Sequence, residues 1–117
     1  MQYEFKNKAA NPSFPQINDV TPQEVLEASH QLKLIDVREI SEFSGELGHI
    51  SQSELIVLST LPAKLASIPK DKPIVFICRS GGRSAQAAAF AQSEGLTNVY
   101  NMKGGMLLWN QLNQPIE

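Results

Sequence analysis

The sequence predicts an α/β fold, a mainly parallel sheet with helices on both faces, and three observations lead there. Short apolar runs stop at polar residues or are bounded by proline, as buried strands are. Stretches carrying helix start and stop signals lie between them. The spacing is short throughout, so strands are joined by right-handed crossovers that leave helices covering both faces of the sheet.

The elements follow in order. Residues 17–20 read as a short strand. "TPQEVLEASHQ" opens a helix with Thr21 as N-cap, Pro22 in the first helical position and Glu24 three residues after the cap, a capping-box arrangement. "LKLIDV" (32–37) reads as a buried strand ending near Asp36 and Arg38. "EISEFSGE" gives one or two helical turns, stopped at Gly45 or Gly48. "ELIVLS" is the next strand, "LPAKLASI" a short helix and "PKDKP" a turn. "PIVFIC" (73–78) is the clearest strand. Residues 84–94 form the clearest helix, with Gly95 just past its end. "NVYNMKGG" and "MLLWNQL" supply the last strand and the last helix.

Composition narrows the class. A chain of 117 residues is most simply one domain, and 42% hydrophobic with 19% charged residues is a globular balance. Ten basic and twelve acidic residues are intermixed, net −2, which argues against a nucleic-acid protein. The acidic stretches 24–27 and 39–46 read as solvated helix faces. No apolar run reaches the ~20 residues of a membrane span. "MQYEFKNKAANPSFP" lacks the apolar centre of a secretory signal and reads as an irregular lead-in. The expectation is residues 1–15 as that lead-in, residues 16–117 as a single domain, and a cytoplasmic protein.

Chemistry concentrates in "FICRSGGRSAQ". It holds the single cysteine, Cys78, at the end of the most apolar strand, where ligands bind in open α/β sheets. An ordinary thiol has a pKa near ~8.5, and lowering it by ~2 units takes about 2.7 kcal/mol of preference for the anion. Arg79 and Arg83 offer fixed positive charge. Gly81 and Gly82 allow successive backbone N–H groups to turn inward as an anion nest. The helix that follows aims its N-terminal dipole at the same point, with Ser84 as its expected N-cap. Ser80 or Ser84 is placed to donate a hydroxyl hydrogen bond to sulfur. The plainer alternative is a small buried hydrophobe, which needs neither the charge nor the glycines. A lone cysteine excludes an internal dithiol cycle, and His30 and His49 lie too far along the chain to form a metal cluster with it.

Spacing separates two anion chemistries. Cysteine-dependent phosphatases carry their arginine six positions after the cysteine, but here Ser84 stands at that position and Arg83 comes one residue earlier. A shorter loop suits sulfur better than a tetrahedral phosphate.

With "LIDVREISEF", "GHI" at 48–50, "VFICRSGGRSAQAA" and "VYNMKGGMLLW" in this order, the chain resembles the single-domain rhodanese-type sulfurtransferases over about residues 20–112. Family members commonly read GHIPGA where this chain has "GHISQSELIVL". The resemblance implies a mostly parallel five-stranded sheet with helices on both faces. It implies that Cys78 takes a sulfane sulfur from thiosulfate or a similar anionic donor, releases sulfite and carries a persulfide. Cyanide, a thiol or a sulfur-accepting protein then removes the outer sulfur. The anion-binding loop comprises Arg79, Ser80, Gly81, Gly82, Arg83 and Ser84, with Arg79 and Arg83 orienting the donor. Asp36 and Arg38 support the architecture, and no metal or organic cofactor is implied. His49 is expected to hold a loop, Lys103, Gly104 and Gly105 to form a turn, and Trp109, Leu108 and Leu112 to sit in the core. The alternative reading is a persulfide carrier in a protein-to-protein relay. Partners include neither nucleic acid nor membrane.

Overall fold

The computed structural model describes residues 2–117. Its strands are β1 (Lys8–Ala10), β2 (Asn18–Val20), β3 (Lys33–Asp36), β4 (Glu54–Leu55), β5 (Ile74–Ile77) and β6 (Val99–Met102). Its α-helices are α1 (Pro22–Glu27), α2 (Ile40–Phe43), α3 (Leu61–Lys64), α4 (Gly82–Ser93) and α5 (Gly105–Gln111). The sheet runs β1-β2-β6-β5-β3-β4, parallel at every pairing except the antiparallel β1–β2 edge. The sheet has six strands where the resemblance implied five. The sixth is β1, inside the stretch expected to be an irregular lead-in.

That lead-in is anchored by a residue read as a solvated one. Glu24 is buried, and its carboxylate accepts from the Tyr3 hydroxyl and from the backbone N–H groups of Lys6 and Asn7 at 2.7 and 3.0 Å. Those donors hold its carboxyl below the usual range against the cost of burial. The capping box is therefore half made: Thr21 accepts from the Glu24 N–H at 3.2 Å, while the Glu24 side chain turns to the N-terminus. Phe5 follows it into the core beside Tyr100.

Period-two alternation divides β5 between two apolar layers. Ile74, Phe76 and then Cys78 face the layer of Ala87, Ala88 and Ala91 on α4. Val75 and Ile77 face Val25, Met106 and Trp109 from α1 and α5. The alanines of α4 let that helix lie close on the sheet. Trp109 is fully buried as expected, whereas Leu112, at the C-cap of α5, is exposed.

The predicted strand "ELIVLS" is reduced to the two residues of β4, since β3 itself ends at Asp36 and Val57 turns the chain into a 3-10 helix. In the preceding loop Gln52 adopts φ 72°, standing where the family pattern has glycine. Among the described residues no helix is long and apolar enough to cross a membrane.

Candidate active site

Cys78 follows directly on β5, between the carboxyl ends of β3 and β6. The chain from 78 to 82 makes one tight loop into α4. Gly81 takes φ 105°, a backbone state that costs a side-chain-bearing residue about 1–2 kcal/mol, and serves as the N-cap of α4. This corrects the expectation that Ser84 caps the helix. Ser84 lies fully buried within the first turn of α4, its hydroxyl 3.2 Å from Cys78 Sγ and 2.5 Å from Asn101 Oδ1. With Gly81 as cap, no side chain occupies the helix N-terminus, and its first N–H groups have no acceptor within the helix. Gly81 N–H donates to Cys78 Sγ at 3.1 Å. Cys78 as a whole is 1% exposed.

A second glycine turn shapes the loop from behind. Gly105 has φ 57°, and a Cβ there would stand 2.5 Å from the carbonyl oxygens of Cys78 and Arg79. This close approach lets the first turn of α5 hold those carbonyls, Met106 N–H donating to Cys78 O at 2.9 Å and Leu107 N–H to Arg79 O at 3.0 Å. In a trans peptide the next N–H points opposite to the carbonyl. Fixing the two carbonyls toward α5 therefore turns the N–H groups of Arg79 and Ser80 away from it. The sequence marked residues 103–105 as a turn before the last helix, at the rim of the pocket; the paired glycines were the available sign of a close backbone contact.

The two loop arginines differ. Arg83 forms a two-pronged pair with Glu42 of α2, at 2.7 and 2.8 Å. Hydrogen bonds from Arg83 hold the Glu42 carboxyl down to about 2, and the carboxylate in turn raises the Arg83 guanidinium. The expected free cation at 83 is thus a neutralised one, and α2 is not a purely solvated face. Arg79 is exposed, forms no ion pair among the described residues, and lines a cleft of about 220 Å³ with Arg38, Ser41, Glu42 and Leu47.

Asp36 and Arg38 are both about 1% exposed and pair at 2.8 Å. Arg38 also donates to Gly48 O at 2.8 Å and Glu42 O at 3.2 Å, tying the end of β3 to α2 and to the 45–50 loop. His49 stacks on Phe43 at 3.8 Å and bonds Phe43 O at 3.0 Å, which is loop-holding geometry. His30 is exposed. On the β6 side of the cysteine loop lies a second cavity of about 330 Å³, walled by Asn11, Phe14, Asp19, Ser80, Asn101 and Lys103. Asn101 and Asp19, which touch this site, were not singled out from the sequence.

A small α/β protein with one thiol in a backbone-lined loop at the sheet's carboxyl edge is the class that the fold and the site define. Within it this chain belongs to the rhodanese-like domain family, which matches residues 21–112. It is 38% identical over 100 residues to the putative sulfurtransferase YtwF of Bacillus subtilis, covering 86% of this chain and 94% of that one. It is 34% identical over 76 residues to the thiosulfate sulfurtransferase GlpE of Stutzerimonas stutzeri, 65% of this chain and 68% of the relative. The crystal structure of a rhodanese-related protein from Thermoplasma volcanium superposes with a TM-score of 0.76 at 31% identity, over 83% of this chain and 94% of that one. Sulfur transfer is the activity these relationships support at the level of the family.

Proposed function

We propose that the protein is a thiosulfate sulfurtransferase working through a Cys78 persulfide. The thiolate of Cys78 attacks the outer sulfur of thiosulfate. The S–S bond of the donor breaks, and sulfite leaves with its electron pair. One negative charge, on Sγ before the step, then sits on the outer sulfur of the persulfide. A thiol or cyanide takes that sulfur and restores the thiolate.

The observation that carries this reading is the Gly81 N–H aimed at Cys78 Sγ from 3.1 Å, within a loop whose Arg79 and Ser80 N–H groups turn away from α5. Such donors favour an anion at low cost in reorganisation, because the backbone is already in place. Arg79 supplies the free charge that draws an anionic donor, while Arg83 acts mainly by fixing the loop to α2. The ring is one residue shorter than the phosphatase pattern, which favours sulfur over phosphate.

The reading is tested by turnover. Thiosulfate with cyanide should yield thiocyanate with the wild-type chain and none with Cys78→Ser, whose melting curve should match. Thiocyanate production by Cys78→Ser, or turnover of an aryl phosphate instead, would overturn it.

A further inference from the structure

The strand register assembles a second polar group beside the sulfur. Asp19 on β2 is directly opposite Asn101 on β6, and Asn101 is opposite Phe76 on β5. Opposed residues share a face of the sheet, and so do Phe76 and Cys78, two apart. Asp19 and Asn101 therefore point to the α4 side, 9% and 2% exposed.

Their hydrogen bonds have one consistent assignment. Asn11 accepts through Oδ1 from the N–H groups of Ser13 and Phe14, so its amide nitrogen faces Asp19 Oδ1 at 2.9 Å. Asp19, acceptor only, takes a second bond from Asn101 Nδ2, also at 2.9 Å. With its nitrogen committed, Asn101 turns its carbonyl oxygen to Ser84. Two oxygens 2.5 Å apart require the Ser84 proton between them. A hydroxyl has one proton. At 3.2 Å, Cys78 Sγ thus faces a lone pair of Ser84, which accepts from a thiol and repels a thiolate.

We propose that Asn101, held by Asp19, withholds the Ser84 proton from Cys78 and thereby favours the sulfur states that carry no charge on Sγ. Those states are the thiol and the persulfide, whose charge lies on the outer sulfur, so the proposal rests on the persulfide reading. To form the thiolate, Ser84 must swing its proton to Sγ and leave Asn101 Oδ1 buried without a donor. Once the outer sulfur is in place, Ser84 returns to Asn101, and loading is favoured by the bond regained. Asp19 and Asn101 are positioning residues acting through Ser84. The other charged groups around Cys78 are Arg79 and Arg83 on its own loop, Asp36 and Arg38 at the end of β3, Glu42 on α2 and Lys103 after β6. None of them bonds Ser84 or Asn101.

The test is the rate of Cys78 alkylation by iodoacetamide against pH, in the full chain. Asp19→Asn frees the Asn101 amide to turn over with little change of size; Asn101→Ala removes it. Each should raise the rate at pH 6 by about threefold to tenfold, moving the midpoint of the profile down by about half a unit to one unit. In a Ser84→Ala background, Asn101→Ala should change nothing further. Unmoved or slower profiles in both variants, with melting curves that show them folded, would overturn the proposal. So would a full Asn101→Ala effect without Ser84. If Asn101→Ala does not fold, Asp19→Asn alone decides. The reagent is neutral and no sulfur donor is present, so failure of thiosulfate loading would sink the proposed function and leave this result standing.

Discussion

The two flanks of the cysteine loop are built from different materials. On the β3 side stand paired ions, Asp36 with Arg38 and Glu42 with Arg83. On the β6 side stands a chain of mostly neutral groups, Ser84, Asn101 and Asn11, ending on the single carboxylate of Asp19. The ion pairs tie separate elements together, since Arg38 reaches α2 and the 45–50 loop. The amide chain makes its contact with the sulfur itself. One flank places the loop, and the other sets the state of the thiol.

The largest effect should come from the buried pair. Arg38→Met leaves Asp36 charged and unpaired in the interior and should cost about 3–5 kcal/mol in urea unfolding. Asn101→Ala, which takes a donor from Asp19 and leaves the Ser84 hydroxyl only the sulfur, should cost about 1–3 kcal/mol. Equal costs would erase the distinction between a structural flank and a tuning flank.

Acid should act on the β3 flank. The folded Glu42 carboxyl lies near 2, below its ordinary value of 4.5, so its contribution is present above that ordinary value. That contribution falls away as pH drops through about 2. Stability should accordingly decline across this window, and less so in Glu42→Gln. A Glu42→Gln chain with the same acid profile as wild type would contradict the Arg83 clamp.

A smaller effect separates the arginines. Arg79→Ala should slow alkylation by anionic iodoacetate about threefold relative to neutral iodoacetamide, because a nearby exposed charge is worth under about 1 kcal/mol. Arg83→Ala should change that ratio less, since its charge is already matched by Glu42. The opposite order would return Arg83 to the donor-binding role expected from the sequence. Smallest of all, and remote from both flanks, Gln52→Gly should raise stability by up to about 1 kcal/mol by relieving its positive φ. An unchanged or lower urea midpoint would mean that its bond to His30 outweighs the strain.

Legibility follows the same division. Strand β5, helix α4, its stop at Gly95 and the cysteine at the sheet edge were readable because local pattern and tertiary role agree there. Cys78 and its glycines announce themselves within seven residues. Asn101 does not: its importance depends on lying opposite Asp19, 82 residues away, a register no local signal encodes. Glu24 misled for a related reason. Its spacing from Thr21 suits a capping box, but Tyr3 and the Lys6 and Asn7 amides compete for the same carboxylate and win. Strand β1 was missed because "KAA" is exposed throughout and carries no alternation to read. Ser84 looked like a cap because serine prefers that place; Gly81 took it, being the residue that reaches φ 105° without strain.

The most direct measurement of the central claim is the intact mass of the pure protein before and after thiosulfate, with Cys78→Ser alongside. The account predicts a gain of one sulfur atom, removed by cyanide and absent from the variant. An unchanged mass, or a gain that survives in Cys78→Ser, would contradict it.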